Sequence, residues 1–253
     1  MNIYIQLALV LFSYFVLFFL LGTIKKDNSL VDIAWGLGFV VSVLYTLIVS
    51  DFNTVNLLIT FMVSIWGLRL SWHIFQRKLG KPEDFRYRKW REEWNYFYLR
   101  SFFQIYLLQG LLLFIIVYPA LTIITTSIEQ IRPGGYLGIL VWFTGLAVEV
   151  ISDRQLKKFL QTRSDKSKIM DSGLWKYSRH PNYFGETLVW WGIFIFALSA
   201  TGNIFTIISP LLITILLLYV SGVPLLEEHF ADNPQYQEYA EKTNKFFPWF
   251  PKN

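Results

Sequence analysis

The segment Ser172-Gly-Leu-Trp-Lys-Tyr-Ser-Arg-His-Pro-Asn-Tyr-Phe-Gly-Glu186 leads from a polar, basic loop directly into a long apolar run. Pro181 fits the first turn of a helix, where its missing N–H costs nothing. The free N–H groups of that turn, with Arg179 beside them, favour an anion site. Asn182 and Glu186 are four residues apart and share one face of the helix. The segment therefore predicts a polar site at the end of a membrane helix.

A simpler interpretation of this segment is an interfacial collar, in which Arg, Lys and Tyr anchor a helix end among lipid headgroups. His180, Asn182 and Glu186 are not needed for anchoring. A carboxylate such as Glu186 would also be costly if it faced lipid. We therefore prefer a functional site.

The composition is that of a polytopic membrane protein. Of the 253 residues, 54% are hydrophobic and only 16% are charged, whereas soluble domains carry about 25% charged residues. The apolar residues form long blocks that predict an all-α fold with about seven transmembrane helices. The predicted spans are Ile3–Ile24, Leu30–Val49, Val55–Phe75, Phe102–Ile124, Tyr136–Ile151, Tyr183–Leu198 and Ile204–Val223.

The same composition excludes several other kinds of chemistry. The chain has no cysteine, which rules out disulfides, thiolate metal sites and a catalytic thiol. Its three histidines show no metal-binding spacing, so we expect no metal site. The net charge of +5 is explained by loop placement, and we expect no nucleic acid partner.

Basic residues are concentrated in alternate loops. Seven spans place Lys25, Lys26, the loops 77–100 and 154–179 and the C-terminal tail on one side, which then holds 21 of the 23 Lys and Arg residues. Because positive loops stay in the cytoplasm, this bias predicts an external N-terminus and a cytoplasmic C-terminus.

Four polar positions near or within the spans could carry chemistry. Asp32 begins the second span near Trp35 and is expected near Arg69, although it could simply cap the helix. Arg69 shares a helix face with His73, or it could extend towards the headgroups. The other two positions are Glu149 with Asp153 at the end of the fifth span, and Glu227-Glu-His229 after the last span, both of which could instead be solvated helix ends.

At this point the motifs resemble those of the steroid reductase superfamily, in particular a bacterial group related to the steroid 5-alpha-reductases, with a C-terminal half similar to the sterol C14-reductases. The similar stretches are Val31-Asp-Ile-Ala-Trp-Gly36, Glu83-Asp-Phe-Arg-Tyr87, Glu149-x3-Asp-Arg-Gln-x3-Phe159, Gly173–Gly192, and the tail Pro224-Leu-Leu-Glu-Glu228 with Tyr236, Tyr239 and Pro248.

This resemblance implies a single membrane domain, 1–253, with a substrate half (1–125) and a cofactor half (126–253). It implies NADPH-dependent reduction of a conjugated carbon–carbon double bond in a steroid-like or other lipophilic substrate, at the cytoplasmic face of a bacterial inner membrane. Positions that hold the nucleotide in relatives match Asp153, Arg179, Asn182, Tyr183 and Glu186. We add Lys157, Lys168, His180, Glu228 and Tyr239 to this set.

The catalytic positions depart from those of the steroid 5-alpha-reductases. Their Gln-Glu pair in the second helix is replaced by Asp32 and Trp35, and their third-helix tyrosine falls near Trp66. We therefore choose Asp32 as the proton donor, with Arg69 or Tyr106 as a helper that stabilises charge on the substrate oxygen.

The main alternative is an S-adenosylmethionine-dependent membrane methyltransferase of the isoprenylcysteine or phospholipid type, which shares an Arg-His-Pro-x-Tyr-x-Gly signature. Asp32, Glu83-Asp-Phe-Arg-Tyr87 and Asp153-Arg-Gln155 favour the reductase group. The many basic residues also suit an anionic cofactor better than a cationic one. Besides membrane lipids and a lipophilic substrate, the sequence predicts no partner and no oligomeric state.

Overall fold

The computed structural model describes residues 1–126, 128–165 and 167–252, with all their side chains except that of His229. These residues form helices and no strand, which confirms the predicted all-α class. Seven of the helical segments they form are long and apolar enough to cross a membrane, which confirms the predicted number. These segments are Ile3–Lys25, Leu30–Ile48, Thr54–Lys78, Phe97–Ile124, Pro133–Thr162, Pro181–Thr201 and Ile204–Glu228.

The chain divides into two compact units, Met1–Ile131 (unit 1) and Arg132–Asn253 (unit 2). The roles expected for the two halves, substrate binding and cofactor binding, stay predictions.

Unit 1 is built around its second helix. Its helices are α1 (Ile3–Lys25), α2 (Leu30–Ile48), α3 (Thr54–Lys78), α4 (Phe85–Glu93), α5 (Phe97–Ser101), a π-helical turn (Phe102–Leu107) and α6 (Leu108–Ile124). α2 packs against α1, α3 and α6. Gly36 and Gly67 let α2 and α3 touch through their backbones, because a Cβ on either glycine would lie 2.6 Å from the carbonyl oxygen of the other.

Unit 2 is organised by the pairing of two long helices. Its helices are α7 (Pro133–Thr162), a 3-10 turn (Gly173–Lys176), α8 (Pro181–Thr201), a second 3-10 turn (Ile204–Ile207), α9 (Ile208–Ile215), a π-helical turn (Leu216–Val220), α10 (Val223–Phe230) and α11 (Pro234–Lys242). Gly138 meets Gly192 and Gly145 meets Gly185, so α7 and α8 run antiparallel. A Cβ at any of the four would lie within 2.7 Å of the partner backbone, which explains why glycine stands there.

Most spans are longer than predicted, and α7 and the seventh span show why. α7 continues to Thr162, beyond the expected end at Ile151, and the loop that follows folds back onto it: the Trp175 indole donates a 3.1 Å hydrogen bond to the Ser152 carbonyl. The seventh span runs past Val223 and contains the π-helical turn. Hydropathy reveals neither feature, because it records apolar length and not the hydrogen-bond pattern of the helix.

Candidate functional site

The start of α8 is held by a buried serine. His180 is the residue that precedes the helix, and Pro181 lies in its first turn as predicted. The Ser178 hydroxyl accepts a 3.1 Å hydrogen bond from the His180 backbone N–H and donates a 2.7 Å bond to the Phe246 carbonyl. This serine thus fixes the backbone that presents Arg179 and His180.

The close α7–α8 contact collects acidic and amide groups at the same end of α8. Asn182 donates a 3.3 Å hydrogen bond to Asp153 on α7. Glu149 and Glu186 are also buried, at 2% and 7% exposure. Gly185 makes this possible, because a Cβ there would lie 2.6 Å from the Glu149 backbone nitrogen. These polar residues, which the sequence placed on two separate helices, therefore lie together at one end of α8.

A carboxylate from α10 completes the cluster. Glu227 Oε1 lies 2.9 Å from Arg179 Nη2 and 3.3 Å from both His180 Nε2 and the Tyr236 hydroxyl. Its other oxygen, Oε2, lies 3.4 Å from Lys245 Nζ. Four side chains from three parts of the sequence thus surround one carboxylate.

Three buried polar atoms of this cluster have no hydrogen-bond partner within the described part of the chain: Arg179 Nε, His180 Nδ1 and Asn182 Oδ1. Burial lowers the pKa of His180 to about 4, although the nearby Glu227 opposes this shift. The imidazole is therefore neutral near pH 7, and if Nε2 donates to Glu227, Nδ1 is left as an acceptor. Because these three atoms lie together at the start of α8, a ligand or water bound there could satisfy all of them.

The C-terminal segment 244–249, which we call the strap, closes over the residues before α8. The Arg179 N–H donates to the Asn244 carbonyl and the Trp249 N–H to the Tyr177 carbonyl, both at 2.9 Å. The predicted tail residue Tyr239 donates a 2.5 Å hydrogen bond to the Trp175 carbonyl. Its hydroxyl therefore holds the backbone of this segment in place.

Three of the expected cofactor residues present exposed side chains: Lys157, Lys168 and Glu228. The glutamate of the Glu-Glu pair that faces the cluster is Glu227, where the sequence predicted Glu228. Tyr236 and Lys245 were also missed as members of the cluster. They lie 57 and 66 residues from Arg179 along the chain, and no short-range spacing could have connected them.

Unit 1 contains a second polar cluster, at the start of α2. Asp32 lies in the first turn of α2, as predicted. The partners that the structure gives its carboxylate are Arg86 and Tyr87 of α4, at 3.0 and 2.5 Å, where the sequence predicted Arg69. Arg86 also lies 2.9 Å from Asp84, which caps α4. Asp32 therefore joins α2 to α4.

The charges of this second cluster support its hydrogen bonds. Burial, and next the charge of Asp32, raise the pKa of Tyr87 well above its usual value, so the phenol stays protonated and donates. Burial opposes ionisation of Asp84, but Arg86 outweighs it and the pKa of Asp84 is lowered. Asp32 thus accepts hydrogen bonds from a guanidinium and from a phenol that keeps its proton.

The remaining catalytic candidates occupy different surroundings. Tyr106 is fully buried and donates a 3.2 Å hydrogen bond to the Asn28 side chain. Asn28 in turn donates its backbone N–H to Glu83, which pairs with Arg91 at 2.8 Å. Arg69 is half-buried in α3. The catalytic roles of Asp32, Arg69 and Tyr106 stay predictions.

Comparison with known proteins relates this chain to one family and to a group of enzymes. A family model described as "Protein of unknown function (DUF1295)" matches residues 18–243. The chain is 23% identical to the uncharacterized protein C594.04c of Schizosaccharomyces pombe over 218 residues, which are 76% of this chain and 63% of that protein. No solved structure matches the chain significantly.

The enzymes are mammalian. The chain is 32% identical over 73 residues to the human 3-oxo-5-alpha-steroid 4-dehydrogenase 1, covering 29% of this chain and 28% of the enzyme. It is 29% identical over 98 residues to the rat 3-oxo-5-alpha-steroid 4-dehydrogenase 1, covering 39% and 37%. The matched region spans less than two thirds of each of these relatives, so the similarity is distant and partial.

Proposed function

We propose that this chain, which belongs to the DUF1295 family of proteins of unknown function, is a membrane reductase that uses NADPH to reduce a conjugated carbon–carbon double bond in a lipophilic substrate. Its distant similarity to the 3-oxo-5-alpha-steroid 4-dehydrogenases supports an oxidoreductase. The observation that carries the proposal is the buried polar cluster of unit 2, with its three unpartnered atoms at the start of α8.

The residues of this cluster fit a dinucleotide. Arg179 Nε is a donor suited to a phosphate oxygen. The N–H groups in the first turn of α8 also favour a bound anion. His180 Nδ1 and Asn182 Oδ1 are acceptors suited to ribose hydroxyls or a carboxamide. A dinucleotide offers both kinds of group, whereas an apolar ligand offers neither. These three atoms comprise one donor and two acceptors, and a dinucleotide can pair with both kinds of group.

In this proposal Arg179 and the start of α8 hold phosphate, and Asn182, positioned by Asp153, orients the rest of the nucleotide. When bound, NADPH supplies the hydride. Glu149 and Glu186 are buried at the same end of α8. A neutral His180 avoids placing a second buried cation beside Arg179.

Unit 1 contains the residues predicted to stabilise charge on the substrate oxygen. Asp32 accepts hydrogen bonds from both Arg86 and Tyr87. Because both oxygens of its carboxylate already accept hydrogen bonds within the chain, Asp32 suits the role of an anchor better than that of a proton donor. Tyr106, whose hydroxyl keeps its proton at neutral pH, and Arg69 then become the proposed donors. Long apolar helices line both units, which favours a lipophilic substrate.

The proposal is tested by NADPH binding to the purified full chain in nanodiscs. Arg179→Ala removes a charge-assisted contact to a buried anion and should raise the Kd for NADPH about ten- to a hundredfold. Arg88→Ala removes the same charge from an exposed position on α4 and should change the Kd by about twofold or less.

Unchanged NADPH affinity in a folded Arg179→Ala protein would reject the assignment of phosphate to this residue. Binding of S-adenosylmethionine in place of NADPH would identify the chain as a methyltransferase instead.

A further inference from the structure

The Glu227 carboxylate occupies the position where an anion should bind. Its Oε1 lies within hydrogen-bond distance of Arg179, His180 and Tyr236, and its Oε2 pairs with Lys245. Arginine, lysine, imidazole and phenol donors are also the groups with which proteins bind phosphate. The site for an anionic ligand and the position of this carboxylate therefore coincide.

The local charge shows that Glu227 does not merely neutralise its neighbours. Arg179 and Lys245 bring two positive charges, and the neutral His180 brings none, so one carboxylate leaves the set with a surplus of positive charge. Arg179 is nearly buried, with 12% of its side chain exposed, whereas Lys245 is 50% exposed. An approaching anion thus meets an exposed lysine first and a buried arginine behind it.

The attachment of Glu227 differs from that of its partners. Arg179 and His180 are fixed through Ser178 and the strap. Glu227 belongs to α10, which follows a π-helical turn and Gly222. A Cβ on Gly222 would lie 2.6 Å from the Leu217 carbonyl, so the chain changes direction there with no room for a side chain. Arg179 and His180 are therefore held in place by Ser178 and the strap, whereas the carboxylate is carried by α10.

We propose that Glu227 is an internal anion that holds Arg179, His180, Tyr236 and Lys245 in place as a phosphate site and is displaced when a phosphate group of the ligand binds. The identity of that ligand as NADPH rests on the proposed function above, whereas the displacement itself does not. Glu227 thereby lowers the affinity of the site for anions and keeps a nearly buried arginine paired in the absence of ligand.

A contrasting role makes the opposite prediction. If Glu227 stayed in place and accepted hydrogen bonds from ligand hydroxyls, its removal would weaken binding. The sign of the effect of removing its charge therefore distinguishes an internal competitor from an ordinary ligand contact.

The experiment compares Glu227→Gln with Glu241→Gln, at an exposed glutamate of α11, in the full chain in nanodiscs of neutral lipid. Inorganic pyrophosphate is titrated into each and the Kd is measured by calorimetry. Because the competing charge-assisted contact is lost, Glu227→Gln should bind pyrophosphate about tenfold or more tightly than wild type. Glu241→Gln makes the same change in net charge and should stay within about twofold.

Glu227→Asp covers the case in which the glutamine variant does not fold. It keeps the charge but withdraws it by one methylene, so its pyrophosphate affinity should rise above wild type by a smaller factor. Equal or weaker pyrophosphate binding in a folded Glu227→Gln or Glu227→Asp protein would overturn the proposal.

NADPH titrations separate this inference from the proposed function. Tighter pyrophosphate binding by Glu227→Gln, with no NADPH binding by any variant, would support the internal anion and reject the cofactor. NADPH binding by wild type that weakens in Glu227→Gln would keep the cofactor and reject the internal anion.

Discussion

The Tyr87 hydroxyl donates a 2.5 Å hydrogen bond to Asp32, so a short helix between two spans is joined directly to the first turn of α2. Tyr87 is 3% exposed, and Arg86 approaches the other carboxylate oxygen at 3.0 Å. The segment 81–94, which the sequence indicates is an ordered amphipathic surface element, is therefore fixed by a buried phenol and a partly exposed ion pair. The phenol should carry more of the stability, because exposed ion pairs contribute little.

Tyr87→Phe tests how much stability the hydrogen bond of the phenol contributes. The variant leaves the ring in place but removes a buried hydrogen bond to a charged group, which should lower the free energy of unfolding by about 1.5–3 kcal/mol. Denaturant unfolding of the purified protein, followed by circular dichroism, measures the effect. Tyr98→Phe, at a residue that is 50% exposed, is the matched control and should change little. Equal stability of Tyr87→Phe and wild type would show that the phenol does not help to hold α4.

His180 should make the protein less stable in mild acid. Burial lowers the pKa of its imidazole from 6.5 to about 4, despite the opposing effect of Glu227. Between these values the unfolded chain binds a proton that the folded chain does not, so the free energy of unfolding falls as the pH falls through this window. The loss is at most about 1.4 kcal/mol for each pH unit.

The measurement is the thermal midpoint of wild type and His180→Gln from about pH 7 to about pH 5. Because carboxylates also titrate near this range, the informative quantity is the difference between the two proteins. Wild type should lose more stability than the variant as the pH falls. A parallel decline in both would show that His180 binds its proton equally well in the folded and the unfolded chain.

Gly185→Ala should disrupt the site by separating two helices. The added Cβ would lie 2.6 Å from the Glu149 backbone nitrogen and 2.7 Å from the Gly145 carbonyl oxygen, neither of which can move without moving the helix. Overpacking of this kind costs about 1–3 kcal/mol. It should also weaken NADPH binding, because Asp153 and Asn182 lie across the same interface.

Gly134→Ala is the control for this substitution within the same helix pair. Its Cβ would lie 2.8 Å from Ser199 Oγ and 2.9 Å from Ser199 Cβ, so it would meet one small side chain and no backbone atom of α8. We expect the thermal midpoint and the NADPH affinity to fall less in Gly134→Ala than in Gly185→Ala. Unaltered ligand affinity in Gly185→Ala would show that the α7–α8 contact serves stability only.

Several features of this fold follow from local sequence. The seven spans follow from apolar length, and the position of Pro181 follows from the absence of its N–H. For the spans and for Pro181, the deciding interaction acts within one helix or depends on one residue type. Asn182 and Asp153 were both predicted to bind the cofactor, but the hydrogen bond between them was not predicted.

Other features could not be obtained in this way because they depend on long-range contacts. Asp32 is 54 residues from Arg86, and Arg179 is 48 residues from Glu227. No periodicity relates such positions, so the sequence pointed to Arg69 as the partner of Asp32 and to Glu228 as the glutamate of the tail. A carboxylate next to another carboxylate carries no local signal that tells which one turns inward.

The predicted topology can be measured with paired reporters. Since 21 of the 23 basic residues fall on one side of the seven spans, a fluorescent protein fused to the C-terminus should fluoresce and alkaline phosphatase fused there should be inactive. Alkaline phosphatase inserted after Ile131, between α6 and α7, should be active. The reverse pattern would place the cluster of unit 2 outside the cytoplasm, where NADPH is not supplied.

Ser178→Ala tests whether the strap matters for binding as well as for stability. Ser178 is fully buried, and its hydroxyl links the Phe246 carbonyl to the His180 N–H on either side of Arg179. Its removal leaves two backbone groups without this partner, which should lower the free energy of unfolding by about 1–3 kcal/mol. Because Arg179 and His180 then lose the support of the strap, NADPH affinity should fall as well.

The control for this last substitution is Ser172→Ala, at an exposed serine of the same loop. It should leave both the thermal midpoint and the Kd for NADPH close to wild type. If Ser178→Ala lowered the thermal midpoint but bound NADPH as wild type does, the strap would stabilise the fold without positioning Arg179. If both quantities fell together, the geometry of Arg179 would depend on a single buried hydroxyl that contacts the strap on one side and the start of α8 on the other.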